Sequence, residues 1–471
     1  MKYNLLKLVF LLCFILPLGS VSYAQVEGTM PFMSSLPQVT YYNPAFKPEY
    51  KFSIGLPFSS VFMQYSNNGF SYNDVVMKEG DTRVADLDKL NSSLREKNYI
   101  NTNLSAELLR VSLKANARLY LTFNVSSKVY NRLMLPKDFF GIIKGTNQYV
   151  NSTATLSPKV ETTSYVEIGA GAAYTVNKDL TVGARFKLLK GIANATTQRA
   201  AFNLSMSEEY AMTITGDADI RTSGIHNFED SDIDYEVEDN WRDFTSNNGF
   251  AVDLGATYKV NDKLTVGLSL LDLGAIKWKN DLYGYSLDPL KAQYTFEGLD
   301  LDRLFNDDDG DDDYEGQLSD SLEAKFDFEE GRIGSYRTPL PAKMYITGTY
   351  KLKKTLTAGA LIFAERFRGR LMTGFTASLN KEFGRRVATS LSYTITNNSF
   401  NNIGAGLSLN FAPIQIYFVG DNLLRAPFML MADKNLNGYV NSLQYFTFRT
   451  GINFVFGRDK VQEKQPYPKN K

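Results

Sequence analysis

The chain has 471 residues, a formal net charge of +0, 44% hydrophobic residues, one cysteine and one histidine. That length can hold a large core or several domains. The balanced charge leaves no basic excess for a nucleic-acid partner, and one cysteine with one histidine cannot assemble a zinc set.

The opening reads "MKYNLLKLVFLLCFILPLGSVSYAQ". Lys2 and Lys7 make a basic start, Leu8 to Leu18 a short apolar core, and Ser22 and Ala24 the small residues of a cleavage site. This predicts a signal peptide over residues 1–24. The apolar run is too short to span a bilayer as a helix. Cys13 lies inside it, so the mature chain is expected to have no cysteine, disulfide or lipoprotein anchor. Over residues 25–49, Pro31, Pro37, Pro44 and Pro48 discourage regular structure. That stretch reads as an extended lead-in, or as the plug that a resemblance given below implies.

From there to residue 457 the pattern is alternation. Candidate strands fall at roughly 51–66, 103–113, 117–130, 162–175, 179–192, 248–260, 263–278, 342–352, 355–366, 369–381, 386–397, 401–411, 413–421 and 443–456. In the stretch beginning at Ala172, "AAYTVNKDLTVGARF", Leu180, Val182, Ala184 and Phe186 point one way, and Thr181, Gly183 and Arg185 the other. Period two with a short polar turn predicts an antiparallel hairpin. The hairpin recurs as "ATYKVNDKLTVGLSL" from Ala256 and "GTYKLKKTLTAGALI" from Gly348. The apolar face is large, and the other face carries Gly, Thr, Arg and Lys. Glu167, Arg185, Lys187, Asp253, Lys259 and Arg449 fall on that polar face.

The connections sort by length. Six are short, around Asn116, Asn177, Asp262, Lys353, Phe383 and Ala412, whereas 67–102, 131–161, 193–247 and 279–341 are long excursions. No later segment has the run of a membrane helix. A closed barrel spans a bilayer without one, because its strands satisfy each other's backbone groups. An even strand number, short turns at one end and long loops at the other are barrel features. The predicted fold is therefore all-β: a single antiparallel transmembrane barrel of about fourteen strands, with both termini on the periplasmic, short-turn side. Tyr174, Tyr258 and Tyr350 would sit in its aromatic girdle. A soluble two-sheet sandwich also alternates, but leaves the split between turns and loops unexplained.

The excursions hold what remains of chemistry. His226 lies in "TSGIHNFEDSD" with nothing local to orient it as a catalytic base requires, so it reads as an ordinary loop residue. The acidic stretch "FEDSDIDYEVEDNW" reads either as a solvated loop or as a surface for divalent ions or basic partners. The stretch "NDDDGDDDYEG" spaces Asp307, Asp309 and Asp311 as calcium ligands but sets Gly310 two residues early, and reads better as a solvated loop. "DKNLNGYVNSLQ" places Asp433, Asn435 and Asn437 at positions 1, 3 and 5 of a calcium loop, with Gly438 at position 6. Gln444 replaces the bidentate acid, so only weak calcium affinity is expected. Residues 458–471 form a charged tail, expected in the periplasm.

Three signatures carry a resemblance: "LPQVTYYNPAFKPE", with Asn43, Pro44 and Ala45; "VGLSLLDLGAIKWKND"; and "PIQIYFVGDNLL" followed by "GINFVFG". Together, from Leu36 to Gly457, the chain resembles a functionally uncharacterised family of outer-membrane barrels found in Bacteroidota. The Asn-Pro-Ala segment is distantly similar to that of long-chain fatty-acid transporter barrels and of the barrel that shuttles cargo in type IX secretion. This resemblance implies fourteen strands with the N-terminal residues folded inside as a plug. The function it implies is passive passage of a small molecule, hydrophobic or not, across the outer membrane, after signal-peptide export. The alternative is an accessory barrel that docks a secreted cargo or an envelope protein. Neither reading is enzymatic, and neither needs a cofactor.

Overall fold

Fourteen strands pair antiparallel into a ring, and the ring closes on itself. The computed structural model describes residues 27–70, 76–79, 82–209, 211–225, 246–296, 321, 323–367, 370–396, 399–423 and 445–458. In chain order, β1 is Tyr50–Gly55 and, after a break, Ser60–Asn67; β2 is Lys97–Lys114 and β3 is Leu119–Pro136. Then follow β4 (Lys159–Thr175), β5 (Leu180–Ala200), β6 (Asn247–Lys259) and β7 (Leu264–Trp278). The second half is β8 (Ala342–Lys353), β9 (Leu356–Phe367), β10 (Arg370–Phe383), β11 (Val387–Thr396), β12 (Ser399–Phe411), β13 (Ile414–Asp421) and β14 (Tyr445–Arg458).

Each strand pairs with its neighbours in sequence. Closure comes from β14, which pairs with β13 on one edge and with both halves of β1 on the other (Phe52↔Phe456, Ser60↔Gly451). No edge is left among these strands to template a foreign one.

All fourteen expected strands are present, with two differences. The first is broken at Leu56–Ser59 rather than continuous, with Phe58 at φ 64 and its amide donating to the Glu107 carbonyl. β2, β3 and β5 also run several residues beyond their expected ends. A bilayer is crossed in ~9–11 strand residues. Beyond it both faces are wet, so the period-two signal fades while the ladder continues.

Two of the three repeated hairpins, and the hairpin at Asn116, share one turn chemistry. The Asn116, Asn177 and Asn261 side chains each accept two backbone N–H groups on the far side of their turns. This is the Asx turn that favours Asn at such positions. The third copy, with Lys353–Lys354–Thr355, lacks it.

The outer face is a belt of exposed apolar side chains, including Leu113, Phe123, Phe186, Phe250, Leu268, Phe375, Leu391, Leu407 and Ile452. On β9 the row is smaller, built on Ala360 and Ile362. Tyr174, Tyr258 and Tyr350 stand exposed at the turn end of that belt. A soluble monomer rarely exposes more than a few hundred Å² of contiguous apolar surface, whereas this belt runs around the barrel. No helix among the described residues is long and apolar enough to cross a membrane.

At the other end the excursions carry structure of their own. Thr153–Thr155, Asn203–Met206, Met212–Thr215 and Gln293–Phe296 form a four-stranded sheet over Tyr149, Ala154 and Leu204. Ala218–Ser223 and Leu282–Leu287 extend the barrel wall. Residues 1–24, His226, both acidic stretches, the calcium candidate Asp433, Asn435 and Asn437, and the tail after Arg458 lie outside the described residues.

Candidate functional site

The barrel interior is occupied by residues 27–49. Pro31 and Pro37 each open a short 3-10 turn, Met30–Phe32 and Pro37–Tyr41, where a missing N–H costs nothing. The turns aim Met30, Phe32, Leu36, Val39 and Tyr42 into one side of the lumen. There they pack on Leu271, Tyr345, Leu361, Phe363, Tyr417 and Val419. Each such burial stabilises by about 1.5–3 kcal/mol, so this face alone is a substantial anchor.

Asn43, Pro44 and Ala45 lie against the wall formed by β5, β6 and β7. The Asn43 amide donates to the carbonyls of Ala256 and Leu268, both at 3.2 Å, while its oxygen accepts the Ala45 amide at 2.9 Å. The wall there is glycine. A Cβ on Gly183 would sit 2.3 Å from Pro44 backbone atoms, and one on Gly255 would sit 2.1 Å from Asn43 Oδ1. Gly359 has the same relation to the Phe32 ring, at 2.4 Å. Gly183 and Gly359 are the glycines of the repeated Leu-Thr-x-Gly, so the repeat encodes both a turn and a surface for the N-terminal segment. Gly183→Val is expected to lift Pro44–Ala45 from the wall at a cost of about 1–3 kcal/mol. Because Cys13 is the only cysteine, an Ala45→Cys reporter can read this. Its maleimide labelling should rise about five- to 150-fold, and unchanged labelling would refute the packing argument.

Polar contacts fix the rest of the segment. Arg110 and Arg185 stack on the two sides of Tyr41, with Cζ 4.5 and 4.9 Å from its ring centroid. Arg110 donates to the Pro37 carbonyl at 2.5 Å, and Arg185 to the Thr40 carbonyl at 3.0 Å. The Tyr41 hydroxyl donates to Glu107. Burial, then the adjacent Glu107 carboxylate, push that phenol above its ordinary value, so it stays a donor. Gln38 and Asn453 exchange amide hydrogen bonds at 2.7 and 3.1 Å. The Gly28 and Thr29 amides donate to Asp421 at 3.1 and 3.0 Å. Arg449 grips Glu27 in a two-pronged pair at 2.8 and 3.0 Å.

Beyond the segment, toward the long loops, lies a charge cluster. Lys187 Nζ stands 2.6 Å from Asp272, 2.8 Å from Asp253 and 3.7 Å from Glu167. Lys128 reaches Glu167 at 2.6 Å, and Lys343 reaches Asp272 at 3.7 Å. Asp272 adopts φ 58 at a register shift between β6 and β7, and its amide donates to Asp253 at 2.8 Å. The shift turns both Leu271 and Asp272 inward. Farther along β7, Trp278 is fully buried with Tyr165, Leu189 and Ile276. A cavity of about 90 Å³ remains, bordered by Lys128, Lys187, Asp272, Lys343, Glu27 and Arg449. At ~10–15 Å³ per water this is room for a handful of waters.

Of the lumen residues expected from sequence, the structure brings Glu167, Arg185, Lys187 and Asp253 into one cluster and sets Arg449 at the segment's first residues. Lys259 does not join them. It has inward parity but ends its strand, exposed at the turn rim. Lys128, Asp272 and Lys343 were missed, as were Arg110 and Glu107. The sequence held one signal: Leu270-Leu271-Asp272 breaks the alternation of β7 where the register shifts.

The family model described as a family of unknown function (DUF5723) matches residues 44–421. The chain belongs to this family. No curated protein matches it. Among solved structures, this DUF5723 member is similar to the Pseudomonas putida toluene transporter TodX, with 10% identity, TM-score 0.42, and coverage of 92% of this chain and 98% of that one. It is likewise similar to the Ralstonia pickettii toluene transporter TbuX (9%, TM-score 0.42, 90% and 94%) and to a Pseudomonas aeruginosa FadL homologue (11%, TM-score 0.41, 90% and 95%). At such values the likeness transfers no substrate; the chain's own strand pairing and lumen carry the argument. Among the described residues, no group of three His, Cys, Asp or Glu is arranged to hold a metal ion.

Proposed function

We propose that the protein is an outer-membrane transport barrel in which residues 25–49 are a plug that closes a route for a small solute. The observation that carries this reading is the manner of closure. Among the described residues, 27–49 are held by side-chain contacts and burial alone, with no strand pairing to the wall, so they can leave without opening the barrel ladder. The lipid-facing belt supports a bilayer location, and the signal-peptide pattern of residues 1–24 supports export, which would set the turns toward the periplasm. The charged border of the cavity favours a polar solute over a hydrophobic one, because an apolar molecule there would strip water from Lys128, Lys343 and Asp272.

Asp421 anchors the start of the plug. Asp421→Asn removes a charge-assisted acceptor shared by Gly28, Thr29 and Thr447, a loss of ~1.5–3 kcal/mol. The open fraction in planar bilayers should rise by about ten- to a hundredfold. The second reading, an accessory docking barrel, is favoured by the four-stranded sheet at the loop end. It predicts no conductance from Asp421→Asn and a protein partner retained through purification.

A further inference from the structure

We infer that the ring of cations at the turn end binds anionic phospholipid headgroups of the leaflet the turns face. This rests on the reading that the barrel spans a bilayer. Five of the six short turns each present at least one exposed cation: Arg118, Lys178, Lys263, Lys354, and the pair Arg385 and Arg386. None of these six side chains has an ion-pair or hydrogen-bond partner among the described residues. The acids nearest in sequence are fewer: Asp179, Asp262 and Glu382, and Glu382 lies 3.9 Å from Arg458.

At the loop end some cations of the described residues meet acids, as in Lys144–Asp88, Arg199–Asp217 and Lys291–Glu329, while Arg332 and Arg337 stand exposed without one among the described residues. The turn rim thus carries six such cations over five turns. That rim borders the lipid belt directly. Tyr174, Tyr258, Tyr350, Phe383 and Phe411 stand exposed within four residues of the turns, at the depth where aromatic girdles meet headgroups. Lys381, in the outward row of β10, lies 5.8 Å from the Phe383 ring centroid, its stem along the apolar surface and its ammonium toward the rim. Continuity with the girdle makes lipid, not protein, the occupant. The phosphate of an acidic phospholipid at this depth meets cations already bare, and no protein contact must break first.

The test uses the full-length protein in detergent and compares phosphatidylglycerol with phosphatidylethanolamine of the same acyl chains by native mass spectrometry. Wild type should retain phosphatidylglycerol preferentially, and less so as salt rises. Retention should fall about fivefold per cation neutralised, so about a hundredfold in Lys354→Gln/Arg385→Gln/Arg386→Gln. The opposite variant, Asp179→Asn/Asp262→Asn, should raise it. Heat-dependent gel mobility checks that each variant is folded. Equal retention of both lipids, or a triple variant that keeps its phosphatidylglycerol, overturns the proposal. So does binding of a polyglutamate peptide with no headgroup preference, which would make the partner an acidic protein. Wild type that takes up no lipid and shows no heat-dependent mobility overturns the membrane reading and this proposal together.

Discussion

Deletion of residues 25–49 should turn the reconstituted barrel into a steadily conducting pore. The wall does not need the segment. Its ladder runs from Tyr50 to Arg458 and closes through β1 and β14 without it. What the deletion removes is the burial of Met30, Phe32, Leu36 and Val39 and the partners of Arg110, Arg185, Gln415 and Arg449. These wall residues then face water, in which charged and amide groups are satisfied, so the cost falls on stability rather than on closure. A two-state protein keeps its minor state at ~0.1–10%. If the open state is that minor state, making it the only one raises mean conductance by ~10- to 1000-fold. Single-channel recording after refolding into planar bilayers reads this. A deletion that keeps its heat-dependent mobility shift yet conducts no more than the full chain would remove the plug reading and leave the docking one.

The strands were legible because lipid imposes one rule on every crossing: apolar out, backbone paired. Leu180, Val182 and Phe186 obey it on β5, and Ile403, Leu407 and Phe411 on β12, with nothing needed from the rest of the chain. The lumen obeys no such local rule. Arg449 meets Glu27, 422 residues away, and Lys128 meets Glu167, 39 residues away. Parity could say that Arg185 and Asp253 face inward, but not that Lys187 would be the hub between them. Parity also misled. Lys259 has the right side and the wrong height, because a rim residue satisfies its charge in water. The register shifts at Glu107 and at Asp272 each put an acid inside where simple alternation breaks. The glycine of the Leu-Thr-x-Gly repeat was read as a strand feature. Its reason, the close approach of Pro44 and Phe32, exists only once the N-terminal segment is inside.

Replacing that hub, Lys187→Met, should be the most destabilising single change in the wall. Lys187 is 3% exposed, and its ammonium touches Asp253, Asp272 and Glu167. Glu167 keeps Lys128, and Asp272 keeps a distant Lys343 at 3.7 Å. Asp253, fully buried, is left with Arg185 at 3.7 Å as its counter-ion besides the Asp272 amide, and that guanidinium is already engaged with the Thr40 carbonyl and the Tyr41 ring. Removing one partner of a buried ion set costs about 3–5 kcal/mol, because the charge left behind has lost its water and its counter-ion. Urea unfolding in lipid vesicles should show that loss as a lower midpoint at unchanged slope. The double change Lys187→Met/Asp253→Asn separates this cause from simple loss of packing. It neutralises the stranded carboxylate while Asn keeps an oxygen for the Asp272 amide, so it should recover stability relative to the single variant. The two substitutions would then couple by ~0.5–3 kcal/mol instead of adding. Strict additivity would mean that Lys187 acts by filling space, and the charge account of the lumen would fall with it.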